Sequence, residues 1–486
     1  MLRRIAISLI LLCQAFCSSG QVYFDGIYID DGRGEGVNVG GTVKLSDVYL
    51  NWSNGSFAGP LYTQLSLIAV DFEGEFVFSS DFALVDTIRE KCANIIALND
   101  TEFVALSFEQ VFTEDAPGDA VLRKFNRNAD VEWKHVYGDP NRLDIPQRFG
   151  MSSDGGFSLT GQVTFDDGND EQADVWLVKT DQNGIVEWEQ TYGGANYENG
   201  ADVIQTPDNG YLILGWTRTY GIGQRDFYLV KTNDQGDEQW YETYGTSADE
   251  IGKSILTLTD GNYLLTGSGT NPQLTESLGR LYKIDSDGNE IWSESYMYNN
   301  NTGHNFHKTI EMWNGDLVSV GMTNLNSNAG WLVRTNSLGE ILWQREYDKN
   351  SQTDLFTNVI ATDDGGFLLS GQAINEQTNS QDAWLLKVDS VGCTFPNCIT
   401  GIDQVEKTIV VDVWPNPTTD VLNLDFSASQ APLEMMVYDV SGKEILRFSQ
   451  NSNQESIDVS GWSSGVYVLQ GSNEDGRSFS LKVVKE

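Results

Sequence analysis

A nine-residue phrase constrains this chain more than any other feature. DGGFLLSGQ at 364–372 nearly copies DGGFSLTGQ at 154–162. Between them lie DNGYLILGW at 208–216, DGNYLLTGS at 260–268 and a looser NGDLVSVGM at 314–322. Each copy leads through a polar loop into a second phrase, such as DVWLVKTDQNGIVEWEQTYGG from Asp174 or DFYLVKTNDQGDEQWYETYG from Asp226. The anchoring residues Trp133, Trp188, Trp240, Trp292 and Trp343 are spaced 55, 52, 52 and 51 apart, and a further step of 55 back from Trp133 reaches Phe78. A period near 52 held this long means one supersecondary unit packed on copies of itself.

The unit is β throughout. Its best copy reads as four strands, ADVIQT, YLILG, FYLVKT and EQWYETY, separated by Asp/Asn/Gly turns. Asp181-Gln182-Asn183-Gly184 is such a turn: Asp bonds its own backbone, and Gly takes the left-handed conformation of a hairpin bulge. A lone four-stranded sheet leaves both faces wet, and a ring of sheets covers them all, so the expected architecture is an all-β propeller. There are six DGGF-type positions, counting the region of Asn99, and seven WLVK-type positions, counting Leu67 and Trp384. Seven blades is the reading and six the alternative. The tryptophans are expected to fill the gaps between blades. The last copy stops at Gly392 without a WxxxY strand, and the unassigned run VYFDGIYI, 22–29, is expected to supply it.

The repeat resembles the quinoprotein propeller repeat, which also ends in Gly-x-x-x-Trp for docking between blades. The matching residues are Gly184/Trp188, Gly236/Trp240, Gly288/Trp292 and Gly339/Trp343. That family places Thr before the Gly, where this chain has Asn183, Gln235, Asp287 and Leu338, and its enzymes often carry adjacent cysteines, which this chain lacks. The resemblance implies the architecture; no cofactor is carried over.

The ends of the chain concern export. Arg3 and Arg4 precede an apolar run, Ile5–Leu12, too short to span a bilayer, and small residues then lead to a cut before Gln21. Residues 1–20 are therefore read as a signal peptide, 21–392 as the propeller and 393–408 as a linker. In an oxidising compartment Cys393 and Cys398, in CTFPNC, are expected to close a small disulfide loop, with Cys92 a buried thiol outside the pair. From about 409 the composition changes to short alternating strands between Gly/Ser/Asn turns, a small Ig-like β-sandwich. Pro415-Asn416-Pro417, Tyr438-Asp439, Gly442-Lys443, Gly465-Val466-Tyr467 and Lys482-Val483-Val484-Lys485 fall there in order. The module resembles the type A C-terminal sorting domain of the Bacteroidetes type IX secretion system. That implies the secretion machinery as a partner, periplasmic transit, and release or surface attachment.

Charge excludes some partners. With 70 acidic against 30 basic residues, a formal net charge of −40, the chain suits neither nucleic acid nor anionic lipid. No further segment is apolar enough to span a bilayer, and the protein reads as a monomer. No His-Glu-x-x-His or phosphate loop is present. Asp166, Asp167 and Asp170 form an oxygen-rich candidate for Ca²⁺ without EF-hand order. His304 and His307, in NNNTGHNFHK, read as a solvated loop. In an up-and-down blade the DGGF and DxxG turns share one end, and the diverse loops between strands two and three and between blades share the other. Function concentrates in variable loops on a rigid scaffold, so the candidate ligand residues are Trp216, Arg218, Tyr220, Arg225, Asp249 and His304. The reading is a secreted or surface-displayed propeller binding a glycan or protein. A polysaccharide hydrolase or lyase and a structural repeat protein are the alternatives.

Overall fold

The computed structural model describes residues 22–28, 38–56, 63–82, 88–111, 118–139, 142–164, 172–270, 277–298, 303–324, 328–348, 354–375, 380–395, 398, 412–426, 434–439, 443–449, 454–472 and 478–485. Residues 1–20, read as a signal peptide, and the Asp166–Asp170 cluster lie outside them. No described residue is helical. The chain divides into two compact units, Met1–Thr400 and Gly401–Glu486.

The described part of the first unit holds seven four-stranded antiparallel sheets. Six use consecutive strands, within 38–81, 88–137, 144–192, 198–244, 250–296 and 304–347 (sheets 1 to 6). Sheet 7 takes three strands from 355–388, and its outermost strand is Phe24–Tyr28 from the start of the chain. Phe24 pairs with Lys387 and Tyr28 with Ala383. The run expected to complete the last unit does so. Sheet 7 in turn packs on sheet 1, where Thr42 Oγ1 donates to Ser370 Oγ at 2.6 Å and Asn358 Nδ2 to the Thr42 carbonyl at 3.3 Å. The first unit is a β-propeller.

The recurring phrases are explained by what they touch. The Lys or Arg of the third strand reaches back to the Asp of the first turn, in Lys179–Asp154, Lys231–Asp208, Lys283–Asp260, Arg334–Asp316 and Lys387–Asp364, at 2.6–2.8 Å. The Gly of the second turn, such as Gly184 at φ 78°, sits beside a register shift between the third and fourth strands. Each sheet is then latched to the next. The fourth-strand tyrosine hydroxyl donates to that glycine's carbonyl one sheet onward: Tyr137 to Gly184, Tyr192 to Gly236, Tyr244 to Gly288, Tyr296 to Gly339 and Tyr347 to Gly392, at 2.6–2.7 Å. The fourth-strand tryptophan covers the same glycine, so a Cβ on Gly236 would lie 2.6 Å from Trp188. The tryptophans are packing residues between sheets.

Two junctions differ. Phe78 occupies the tryptophan register position in sheet 1, and Ala129, at φ 60°, replaces the glycine in sheet 2. Both pack on one core with Trp52 and Phe125. Between sheets 7 and 1, Phe24 stands in the tryptophan position against Gly74, whose φ is 86°. Gly236→Ala combines a left-handed non-glycine residue with a collision, and is expected to cost roughly 2–4 kcal/mol. Ala129→Gly should stay within about 1 kcal/mol, and paired denaturant titrations would read both.

The innermost strands share a further device. All seven, Asn38–Lys44, Ile88–Ala97, Asp144–Met151, Glu198–Gln205, Glu250–Thr257, His304–Glu311 and Leu355–Ala361, carry a register shift at the same level. Each shift inserts one unpaired residue, which bends and twists the strand.

The propeller ends at Gly392, and Cys393 and Cys398 form the expected disulfide. Cys92 is half-buried, less than expected, because it borders the inner-strand bulge before Asn94. The second unit has a three-stranded sheet, Asp412–Trp414, Val421–Asp425 and Gln454–Asp458, and a four-stranded sheet, Glu434–Asp439, Glu444–Ser449, Gly465–Ser472 and Ser478–Lys485. The two sheets share a core that includes Leu422, Leu424, Met435, Val437, Leu469 and Val483.

Candidate functional site

Sheets 3, 4 and 5 share a cavity of about 510 Å³ at the end carrying the variable loops. It is lined by Gln172, Ala195, Asn196, Arg218, Gln224, Arg225 and Asp249. Arg225 and Asp249 fix its wall between sheets 4 and 5. Arg225 Nε donates to Asp249 Oδ1 at 2.6 Å, Nη2 donates to Oδ2, and the Arg225 carbonyl accepts from Glu250 N at 2.8 Å. By accepting these hydrogen bonds Asp249 raises the Arg225 pKa further. Trp216 lies beneath. It stacks on Tyr197 with centroids 5.2 Å apart and planes 4° from parallel. Arg225 stands 5.2 Å from the Trp216 centroid, and Arg218 is 5.9 Å from both ring centroids. The aromatic pair is a platform for two guanidiniums. Arg218 is exposed and makes no ion pair with a described residue.

The loops are shaped by acids. Asp226 Oδ2 accepts from Ile222 N at 3.1 Å and Gly223 N at 2.8 Å, which sets the turn before Gln224. Glu198 accepts from Gly194 N at 2.8 Å and Thr219 N at 3.1 Å, which ties the two loops on either side of the cavity. Tyr220 props the same region, its hydroxyl donating to the Gly193 carbonyl at 2.9 Å while its ring packs on Tyr228 and Tyr241.

Of the residues singled out in the sequence, Arg218, Arg225 and Asp249 line the cavity, Trp216 underlies it and Tyr220 supports it. His304 does not belong. It begins an innermost strand of sheet 6 and is buried, with its ring 5.2 Å from that of Trp331 and Nε2 accepting from Tyr298 N at 3.0 Å. His307 lies on the same strand, so the His-x-x-His run is no loop. No group of three or more potential metal ligands occurs among the described residues. Gln172, Asn196 and Gln224 were missed by motif reasoning, because an amide in a polar loop carries no distinctive pattern.

Asp174, just after Gln172, is pushed up to about 6 by burial and by Glu198. Its Oδ1 has no hydrogen-bond partner among the described residues. A carboxyl raised above its unfolded value of about 3.9 favours the folded state fully at pH below that value, and the contribution is lost as pH rises through about 6. Asp174→Asn removes this titration. It is expected to raise the unfolding midpoint at pH 8, with the gain shrinking as pH falls through about 6 and vanishing below about 3.9. A gain independent of pH in parallel melts would refute the assignment.

Residues 412–486 match the family model of the secretion system C-terminal sorting domain. The chain is type IX secretion cargo. As type IX cargo it is exported to the cell surface or the extracellular space. Several of the residues expected to form the sorting signal converge on the last strand. Asn416, between Pro415 and Pro417, accepts from Val484 N at 2.9 Å, Thr418 N donates to the Val484 carbonyl at 2.8 Å, and Gly465 pairs with Lys485. Tyr467 is buried and donates to the Ser463 carbonyl at 2.8 Å, Lys482 pairs with Val468, and Lys443 closes a turn onto Asp439. Gly442 lies outside the described residues.

Among solved structures, the extracellular domain of a hybrid two-component system from B. thetaiotaomicron is 10% identical, with a TM-score of 0.36; 93% of the cargo chain is covered but only 56% of that domain. The β-propeller domain of the Trilobed protease from Pyrococcus furiosus is 7% identical, with 74% of this chain and 96% of that one covered and a TM-score of 0.42. Polysaccharide lyase Uly1 is 11% identical, with 78% and 94% covered and a TM-score of 0.44. No curated protein matches the cargo chain.

Proposed function

We propose that the chain is an extracellular binding protein whose seven sheets are the blades of a closed seven-bladed propeller, and whose 409–486 module is an Ig-like sandwich. The signal peptide 1–20 and the linker 393–408 complete this organisation. The ligand is a glycan held in the cavity over sheets 3, 4 and 5. The composition of that cavity carries the reading: three side-chain amides and two guanidiniums surround one carboxylate, and both oxygens of Asp249 are already engaged by Arg225. Amides and planar guanidiniums on a fixed aromatic base suit neighbouring hydroxyls of a sugar ring. Asp249 in this role holds Arg225, and it is not a proton donor to substrate.

A glycan array followed by calorimetry on the best ligand tests the reading, with product analysis on the same polysaccharides. Arg218→Ala is expected to weaken binding about 10-fold or more, the loss of a hydrogen bond from a charged group. Binding without turnover supports the proposal. New reducing or unsaturated ends would point to a hydrolase or lyase, and silence on every glycan would point to a protein ligand or a structural role.

A further inference from the structure

The bulges of the innermost strands gather a second set of polar groups, away from the cavity. At or just after the bulge, four consecutive strands present Arg148, Asp202, Lys253, and the adjacent His307 and Lys308. The other three present Gly40-Gly41, Ala93-Asn94 and Thr357-Asn358, all neutral. Charge in this belt is opposite in sign to that of the chain, whose net value is −40.

The cations share one space. Arg148 belongs to sheet 3 and Lys308 to sheet 6, with the innermost strands of sheets 4 and 5 between them. Even so, the Arg148 charge acts directly on Lys308, on His307 and on Lys253. Groups that far apart around the ring meet only across its centre. None of the four basic side chains hydrogen-bonds or ion-pairs with a described residue. The one acid among them is already used, because Asp202 Oδ1 accepts from Val203 N at 3.0 Å and Oδ2 from Ile255 N at 3.1 Å. Four half-buried basic groups with Asp202 as the one acid acting among them repel one another. Burial and Lys253 hold His307 down to about 3, and burial and Arg148 hold Lys308 down to about 8.

We propose that Arg148, Lys253, His307 and Lys308 form an oxyanion-binding site on the axis of the ring, for a sulfate, phosphate or carboxylate group. A bound oxyanion supplies the acceptors these donors lack. It also offsets the repulsion among them, so binding is coupled to proton uptake by Lys308. The group recognised is either a free ion or the charged substituent of an acidic sugar.

The test is calorimetric titration of the full chain with sodium sulfate at constant ionic strength, and in parallel with sulfated or uronic acid oligosaccharides. Sulfate is expected to bind saturably, with proton uptake at pH 8 seen as a difference between two buffers of unlike ionisation heat. The double variant Lys253→Met/Lys308→Met should bind at least 10-fold more weakly, whereas Arg218→Ala at the cavity should bind sulfate as the parent does. Oligosaccharide binding that competes with sulfate identifies a sugar acid as the source; sulfate binding alone identifies a free ion. A response linear in sulfate is the general salting effect and would overturn the proposal, as would saturable binding without proton uptake or binding unchanged in the double variant. Proton uptake is read on the parent chain, so the test survives if the double variant does not fold. Loss of sulfate binding in Arg218→Ala would move the site to the cavity.

Discussion

Deletion of residues 22–28 lowers the unfolding midpoint of the propeller by roughly 5–10 °C and makes it aggregate. The expectation rests on three losses. The strand Phe24–Tyr28 is hydrogen-bonded along five registered pairs to Ser380–Val388, and removing it exposes an unpaired edge to other chains. Phe24 is buried in a core with Tyr49, Val70, Leu368 and Leu385, which joins the last sheet to the first. Polar ties go too: Trp384 Nε1 donates to Asp25 Oδ1 at 2.8 Å, Val22 N to Asp364 Oδ2 at 3.2 Å and the Tyr23 hydroxyl to Asp389 Oδ2 at 3.2 Å. The substitution Phe24→Ala alone should cost about 3–5 kcal/mol, the usual range for a buried phenylalanine. Hydrogen exchange on the intact chain offers an independent check. Amides of 24–28 should be protected together with those of 384–388, and rapid exchange of the first set would show that the ring does not depend on this joint.

Truncation after Thr400 abolishes delivery and leaves the propeller folded. The second unit has a core of its own, drawn wholly from residues between 413 and 483, and the family match covers 412–486. The truncated chain should therefore melt as the parent propeller does and accumulate in the periplasm. Its surface and secreted amounts should fall about 10-fold or more in fractionation. Undiminished surface display would show that the address lies elsewhere, and a melted propeller would show that the two units depend on each other.

The repeat was legible because its strongest residues serve one geometry, sheet after sheet: the Lys–Asp pair within a sheet, and the Trp–Gly and Tyr–Gly contacts between sheets. Even the closing strand carries that mark, since Phe24 and Tyr28 stand in the register positions of Trp188 and Tyr192. The disulfide and the sorting module were legible because spacing and order specify both. His304 was misread as a loop residue because innermost strands lack the alternation of a half-buried strand; their polar residues turn to the centre of the ring. The axial cations escaped notice for a related reason. Arg148, Asp202 and Lys308 belong to one repeat column, with Ser254 between the last two and each step more than 50 residues long, and only the ring makes them neighbours. Loops at the cavity end were identifiable by their diversity, but diversity does not say which amide faces inward.

The latches between sheets have a consequence for how such a chain changes its length. From sheet 2 to sheet 7 every junction uses the same pair of parts, a Trp and Tyr on one side and a left-handed Gly on the other. A unit of about 52 residues copied or excised by recombination within this stretch would find compatible surfaces on both flanks. The joints that use Phe24 with Gly74, and Phe78 with Ala129, are not interchangeable with the rest. Gene duplication can thus expand or shrink the middle of the ring, while the joints on either side of sheet 1 hold it as a clasp of different parts.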